Sequence, residues 1–193
     1  MNLTNSKYVQ VLLSGGIDSS ACIAFYLEHG FSVSGTFIDY GQAANLKEAQ
    51  AAKTISEYYK IPLKKFICSG FCKKREGYIQ GRNAFLLIAA LMELTEKKSI
   101  IAIGIHSGTE YIDCSSLFIN DMQSIFDSYT NGVIQIGAPF LKWTKNDIWS
   151  FCKSRSVPID LTYSCELGLK QPCGKCLSCH DLEVLYASSQ KKT

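Results

Sequence analysis

A glycine-rich loop between an apolar segment and a helix-forming segment is the feature that most constrains the fold of this chain. Residues 8–13 have the apolar character of a buried strand, and residues 21–27 that of the helix that follows. The connection between them is Ser14-Gly15-Gly16-Ile17-Asp18-Ser19-Ser20. A glycine pair allows a tight turn whose backbone N–H groups point into one concavity, and such a turn at a helix N-terminus attracts anions. The pattern therefore predicts a strand–loop–helix unit that binds a negatively charged group.

The chemistry of this loop differs from that of the commonest phosphate-binding loop. It lacks the lysine of the Walker-type pattern Gly-x-x-x-x-Gly-Lys-Ser/Thr. Its Ser-Gly-Gly-x-Asp-Ser pattern instead resembles that of the PP-loop ATP pyrophosphatases. The resemblance implies an enzyme that cleaves ATP between the α and β phosphates and adenylates its substrate. The alternative is a glycine-rich turn that only caps a helix.

Alternating strand and helix patterns along the chain predict an α/β fold, a Rossmann-like parallel sheet with helices on both faces. We expect strands at residues 8–13, 32–38, 62–67, 99–103 and 133–136, and helices at 21–27, 47–59, 84–96, 117–129, after Thr144, and at 181–187. Thr144 and Asp147 have the spacing of a helix N-terminal capping box. We expect a domain at residues 1–160 and a small metal-held segment at residues 161–193.

Three polar or glycine-containing segments follow predicted strands of this sheet. They begin at Ser14, at Asp39 and at Gly104. In an open parallel sheet, ligands bind beyond the carboxyl ends of the strands, where the strand order reverses. The sequence therefore predicts that these segments form one site at one edge of the sheet.

The composition is that of a globular protein without a strongly basic surface. The formal net charge is +3, which does not favour a dense nucleic-acid-binding face. No stretch is apolar enough to span a membrane, and residue 8 already begins a strand, so we expect no membrane partner, no signal peptide and a cytoplasmic location. In a reducing compartment, nine cysteines favour metal ligation over disulfides.

Four cysteines near the C-terminus have metal-ligand spacing. Cys165, Cys173, Cys176 and Cys179 are arranged as C-x7-C-x2-C-x2-C, in a stretch from 164 to 180 without helical or strand periodicity. Four sulfur ligands make a closed, structural site, which favours Zn²⁺. An iron–sulfur cluster is the alternative metal group, and His180 is an alternative ligand to Cys179.

The loop and the cysteine spacing together resemble the 7-cyano-7-deazaguanine synthase family, and the likeness covers nearly the whole chain. Further similar segments are Phe37-Ile38-Asp39-Tyr40-Gly41-Gln42, Gly81-Arg82-Asn83, Gly104-Ile105 with Tyr111, Asp113, Cys114 and Phe118, Ala138-Pro139 with Thr144-Lys145, and Leu161-Thr162-Tyr163-Ser164-Cys165. The resemblance implies that ATP adenylates the carboxylate of 7-carboxy-7-deazaguanine and that ammonia displaces AMP. A second activation then dehydrates the amide to the nitrile. It also implies a homodimer.

The same resemblance implies roles for individual residues. Ser14 and the loop N–H groups would hold the β and γ phosphates, while Asp18 would orient the loop and Mg²⁺. Arg82 and Lys145 would neutralise the leaving pyrophosphate. The implied ATP-binding set is Leu13, Ser14, Gly15, Gly16, Ile17, Asp18, Ser19, Ser20, Asp39, Tyr40, Gln42 and Arg82, and the implied substrate-binding set is Gly104, Tyr111, Asp113 and Cys114. The structural alternatives are a surface ion pair for Arg82, a solvated Lys145 and a turn residue for Asp113.

Most departures from the family pattern fall in segments that the resemblance assigns to the deazaguanine substrate and not to ATP. The connection at residues 68–80 is short, Gln80 and Ser115 stand where proline and arginine are usual, and Glu166 replaces an aromatic residue. They leave three alternatives open. The activated carboxylate is joined to a protein, peptide or nucleic-acid amine, as in bacterial anti-phage defence clusters. The protein is a PP-loop tRNA-thiolating enzyme. Or it is a non-catalytic nucleotide-binding partner with a zinc staple.

Overall fold

The computed structural model describes residues 8–70, 78–94, 99–106, 108 and 111–190, and for residues 189 and 190 the backbone only. Strands and helices alternate along this part of the chain. The elements are β1 (Tyr8–Leu12), α1 (Ile17–Glu28), β2 (Ser32–Asp39), α2 (Asn45–Tyr59), β3 (Leu63–Ile67), α3 (Arg82–Glu93), β4 (Ser99–Ala102), α4 (Ser116–Thr130), β5 (Ile134–Gly137), α5 (Lys145–Ser154) and α6 (Leu177–Gln190), with single 3₁₀ turns at Ile112–Cys114 and Ile159–Leu161.

The five strands form one parallel sheet in the order β3-β2-β1-β4-β5. Val9 of the central strand pairs with Val33 on one side and with Ile100 on the other. The chain builds outward from β1 to β3 and then crosses to β4, so the strand order reverses between β1 and β4. This confirms the predicted fold class and fixes the ligand-binding crevice of such a sheet at the carboxyl ends of β1 and β4.

Helices cover both faces of the sheet because successive strand residues point to opposite sides. Ile100 and Ala102 of β4 belong to one core, whereas Ile101 of β4 and the next residue after the strand, Ile103, belong to the other. Helices α1, α2 and α5 pack on the first face, and α3 and α4 pack on the second. Leu185 of α6 joins the first core, which attaches the C-terminal helix to the sheet.

Two helices begin four residues earlier than their sequence patterns predict. Helix α1 starts at Ile17, inside the glycine-rich loop, so Asp18 lies in its first turn. Helix α6 starts at Leu177, within the stretch predicted to lack a helix. The second prediction was wrong because contacts outside the helix stabilise its start. The carboxylate of Glu166 accepts hydrogen bonds from the backbone N–H and the hydroxyl of Ser178, at 3.3 and 2.9 Å.

Helix α5 begins with the predicted capping box. The Thr144 hydroxyl accepts a hydrogen bond from the backbone N–H of Asp147 at 3.2 Å, and the Asp147 carboxylate accepts one from the Thr144 N–H at 2.8 Å. These bonds hold the pKa of Asp147 below its ordinary value. The cap fixes Lys145 as the first residue of the helix. Among the described residues, no helix has both the length and the apolar character that crossing a bilayer requires.

Candidate active site

A cavity of about 380 Å³ lies at the carboxyl ends of β1, β2 and β4, where the sheet topology predicts a ligand. The glycine-rich loop, the start of α3, the start of α5 and the C-terminal cysteine region complete its walls. The predicted site residues that line it are Leu13, Ser14, Gly16, Ile17, Asp18, Ser19, Tyr40, Gln42, Arg82, Gly104, Tyr111, Cys114 and Lys145. The volume is within the range of small-molecule sites.

The glycine-rich loop is held in shape by its own side chains and by α2. Ser14 Oγ accepts a hydrogen bond from the Gly16 N–H at 3.3 Å and lies 3.2 Å from Ser19 Oγ. Gly15 has φ +85°, and a Cβ there would lie 2.6 Å from the Glu48 carbonyl oxygen. Only glycine satisfies both the conformation and the close approach. The contacts that hold the loop in this shape are therefore made by the protein itself.

An ion pair stands where the loop enters α1. Lys145 Nζ donates to both carboxylate oxygens of Asp18, at 2.8 and 2.6 Å. His106 Nε2 lies 3.9 Å from the same carboxylate. Gly104 lets the end of β4 approach this point, since a Cβ there would lie 2.9 Å from the Asp18 carbonyl carbon. Sequence reasoning missed His106; the signal that could have found it is its place two residues after Gly104, in a segment predicted to lie at the crevice.

A second polar group lies in the half of the cavity next to β2. Gln42 accepts a hydrogen bond from the Tyr40 N–H at 2.9 Å and donates one to Glu48 Oε2 at 2.8 Å. Burial raises the pKa of Glu48, and the Gln42 hydrogen bond and the Arg82 charge oppose that rise. Burial also raises the pKa of Tyr40. Sequence reasoning missed Glu48, which lies within the helix predicted at residues 47–59 and matches none of the motifs that pointed to a site.

Four predicted residues lie behind the cavity wall instead of lining it in the described part of the chain: Gly15, Ser20, Asp39 and Asp113. The Asp39 carboxylate accepts hydrogen bonds from Gly41 N–H at 3.1 Å and Asn45 Nδ2 at 3.2 Å, and Lys65 Nζ lies 3.3 Å away. Burial opposes ionisation of Asp39, but these bonds hold its pKa below the ordinary value. Asp39 thus organises the turn that carries Tyr40 and Gln42.

Asp113 and Ser20 are polar residues buried behind the cavity wall. Asp113 is 4% exposed and Ser20 is fully buried. Within the described residues, Asp113 Oδ1 and Ser20 Oγ have no hydrogen-bond partner. The backbone carbonyl of Asp113 accepts a hydrogen bond from Asn83 Nδ2 at 3.1 Å, which ties the 3₁₀ turn to the start of α3. Asp113 therefore supports the wall that carries Tyr111 and Cys114.

The cavity wall next to α3 carries two stacked tyrosines. The rings of Tyr78 and Tyr111 have centroids 4.8 Å apart and an interplanar angle of 24°. Both residues line the cavity, and Tyr78 is 42% exposed. Such a pair presents a flat apolar face to another planar ring. Sequence reasoning missed Tyr78, because only its pairing with Tyr111 distinguishes it from a loop residue.

The four predicted metal ligands converge. The sulfur atoms of Cys165, Cys173, Cys176 and Cys179 all lie within 4.8 Å of one another, and those of Cys173 and Cys179 are 3.9 Å apart. Tetrahedral Zn²⁺ with Zn–S bonds of about 2.3 Å requires sulfur atoms about 3.8 Å apart, so the donor set fits. Hydrogen bonds from the N–H groups of Lys175 and Cys176 lower the pKa of Cys173 to about 6, which favours the thiolate that a metal binds. His180 is not in the cluster of potential ligands.

Comparison with known proteins identifies the family. The model described as "Queuosine biosynthesis protein QueC" matches residues 8–77 and 69–187. The chain belongs to the QueC family. The predicted resemblance is thereby confirmed, and the match includes both the glycine-rich loop and the cysteine cluster.

Curated relatives support this assignment, and a solved structure supports the fold. The chain is 33% identical to 7-cyano-7-deazaguanine synthase from Picrophilus torridus over 87% of its own length and 82% of the relative. It is 30% identical to the synthase from Oceanobacillus iheyensis over 92% and 91%. The match to the U34-tRNA thiolase NcsA from Methanococcus maripaludis, at 17% identity, covers 97% of this chain and 67% of the thiolase, with a TM-score of 0.50. That likeness shows the fold alone.

Proposed function

We propose that this protein uses ATP to activate the carboxylate of 7-carboxy-7-deazaguanine and converts it through the amide to the nitrile. The main support is the Asp18–Lys145 pair, which stands at the mouth of the glycine-rich loop in a QueC-family cavity. The relatives named 7-cyano-7-deazaguanine synthase cover most of the chain. The cavity has the glycine-rich loop on one wall, which suits phosphates, and the Tyr78–Tyr111 pair on another, which suits a planar base.

The phosphates of ATP would bind at the loop. The N–H groups at the start of α1 provide an anion site, and the Ser14 hydroxyl is the exposed polar group beside them. Lys145 and Arg82 line the same cavity and would stabilise the negative charge that develops on pyrophosphate. Mg²⁺ bound with ATP supplies further positive charge, and Asp18 offers the carboxylate oxygens that this ion prefers.

The base would bind against the tyrosine wall. Stacking of a planar bicycle on Tyr78 and Tyr111 would leave its carboxylate directed into the cavity toward the phosphates. A carboxylate oxygen attacks the α phosphorus and pyrophosphate leaves. The nitrogen nucleophile then attacks the acyl carbon, loses a proton and displaces AMP. In the second round the amide oxygen attacks the α phosphorus of a second ATP and pyrophosphate leaves. The amide nitrogen then loses both of its protons and AMP departs with the oxygen, which forms the nitrile.

The cysteine cluster would hold Zn²⁺ in a structural capacity. Four thiolate ligands leave no open coordination position for substrate. We therefore assign the reaction to the residues that line the cavity, and we assign a structural role to the four cysteine ligands.

A second candidate function differs only in the nitrogen nucleophile, which would be an amine of a protein, peptide or nucleic acid. It is favoured by Glu166, an acidic residue at a position where the family resemblance leads us to expect an aromatic one. Glu166 and Asp181 both line the cavity. Carboxylates in this wall would attract a protonated amine.

The test is to incubate the protein with ATP, Mg²⁺, 7-carboxy-7-deazaguanine and ammonium and to follow products by mass spectrometry. We expect AMP and the nitrile, and both should be lost in Asp18→Asn. AMP formed only in the presence of the base, without amide or nitrile, would favour the second candidate. ATP cleavage at the same rate with and without the base, or no ATP cleavage, would contradict both candidate functions.

A further inference from the structure

The cysteine segment, defined as residues 163–182, touches the glycine-rich loop directly. The backbone N–H of Tyr163 donates a hydrogen bond to the carbonyl oxygen of Gly15 at 2.9 Å. A Cβ added to Gly16 would lie 3.8 Å from the Tyr163 carbonyl oxygen, so the backbone of the cysteine segment packs against the backbone of the loop. The loop is thereby held between α2 on one side and the cysteine segment on the other.

A second contact joins the cysteine segment to the turn before α2. Gly168 has φ +66°, and a Cβ there would overlap the carbonyl group of Ala43 and lie 2.8 Å from Ala44 Cα. Ala44 is the residue that precedes α2, and it is 2% exposed. The turn held in this way also carries Gln42, which lines the cavity.

The first metal ligand lies between these two contacts. Cys165 follows Tyr163 by two residues and precedes Gly168 by three, and it is 3% exposed. An ion at the cluster would tie this stretch to Cys179, which belongs to α6. Glu166 adds a second tie through Ser178. Side chains from both ends of the segment, including Tyr163, Glu166 and Asp181, line the cavity.

We infer that the metal-held cysteine segment is a wall of the nucleotide site, docked through Tyr163 and Gly168, so that metal binding and nucleotide binding are coupled. Gly168 acts as a positioning residue, since it holds the segment without touching the ligand. The inference rests on the proposed ATP function. Because coupling of two binding equilibria is reciprocal, the metal should strengthen nucleotide binding and the nucleotide should strengthen metal binding by the same factor.

Two glycine variants separate docking from metal binding. Gly168→Ala would retain all four cysteines but create the overlap with Ala43. Gly30→Ala is its matched control, because Gly30 also has positive φ, +76°, but has no atom within 4 Å of an added Cβ. We would measure metal content by mass spectrometry and binding of α,β-methylene-ATP by calorimetry. We expect Gly168→Ala to keep its metal and bind the analogue at least about fivefold more weakly, with Gly30→Ala unchanged.

The reciprocal measurement uses the unaltered protein, so it stands even if Gly168→Ala fails to fold. We expect the analogue to lower the fraction of metal that a chelator extracts at equilibrium. Equal extraction with and without the analogue, or equal affinity of the two glycine variants, would overturn the coupling while leaving the proposed function intact. Failure of the unaltered protein to bind the analogue would overturn both.

Discussion

Lys145 donates hydrogen bonds to both carboxylate oxygens of Asp18, although 127 positions separate the two residues. Each lies in the first turn of its helix, Asp18 in α1 and Lys145 in α5. The pair is partly open to the cavity, with 21% and 29% of the two side chains exposed. Lys145 is thus held beside the glycine-rich loop, close to where we propose that the phosphates of ATP bind.

Replacement of this lysine should impair catalysis more than folding. We expect Lys145→Met to lower kcat for pyrophosphate release by about 10²–10³-fold, the usual effect of removing one group that stabilises developing charge. Lys142→Met is the control, because Lys142 is exposed and not among the lining residues. Similar rates for the two variants would exclude Lys145 from the reaction.

The tyrosine wall should govern affinity for the base and not for ATP. We expect Tyr78→Ala to raise KM for 7-carboxy-7-deazaguanine by about tenfold, since an aromatic pair contributes about 0.5–1.5 kcal/mol beyond area burial. The KM for ATP should stay unchanged, and Tyr78→Phe should behave as wild type. Tyr129, which is 78% exposed, offers the control Tyr129→Ala. An equal change in both KM values would show that the wall does not distinguish the substrates.

Loss of one cysteine ligand should remove metal and stability together. We expect Cys176→Ser to lose bound metal and to lower Tm by at least about 4 °C, which corresponds to about 2 kcal/mol for a chain of this size. Cys68→Ser is the control, since Cys68 lies outside the cluster. A metal-free variant with unchanged Tm would contradict a structural metal.

The turn at Asp39 should respond to pH in one direction. Its hydrogen bonds hold the folded-state pKa below 3.8, so the stabilisation is complete above that pH and is lost as pH falls through the folded-state pKa. We expect the difference in unfolding free energy between wild type and Asp39→Asn to be constant from pH 7 to pH 5 and to shrink below about pH 4. Urea titrations across this range would measure it. A difference that grew on acidification would contradict the assigned hydrogen bonds.

Local patterns predicted the parts of the site that local sequence determines. The glycine-rich loop, the Thr144–Asp147 cap and the cysteine spacing each depend on neighbours a few residues apart, and the structure contains all three. The alternation of strand and helix patterns along the chain was enough to predict a parallel sheet. Lys145 was singled out by the family resemblance, and the cap places it as the first residue of α5.

Other features depend on contacts that sequence spacing does not encode. Glu48, His106 and Tyr78 became recognisable only when the fold showed which side chains face the cavity. Asp39 was expected to contact the nucleotide, but its carboxylate accepts hydrogen bonds from Gly41 and Asn45. The start of α6 depends on Glu166, twelve residues earlier in the chain.

Transfer of oxygen from substrate to AMP tests the central claim most directly. The protein would be given 7-carboxy-7-deazaguanine labelled with ¹⁸O in its carboxylate, together with ATP, Mg²⁺ and ammonium. If the carboxylate attacks the α phosphorus, the label appears in the phosphate of AMP when the amide forms. Label in orthophosphate together with ADP, or AMP that carries no label, would contradict adenylation of the carboxylate.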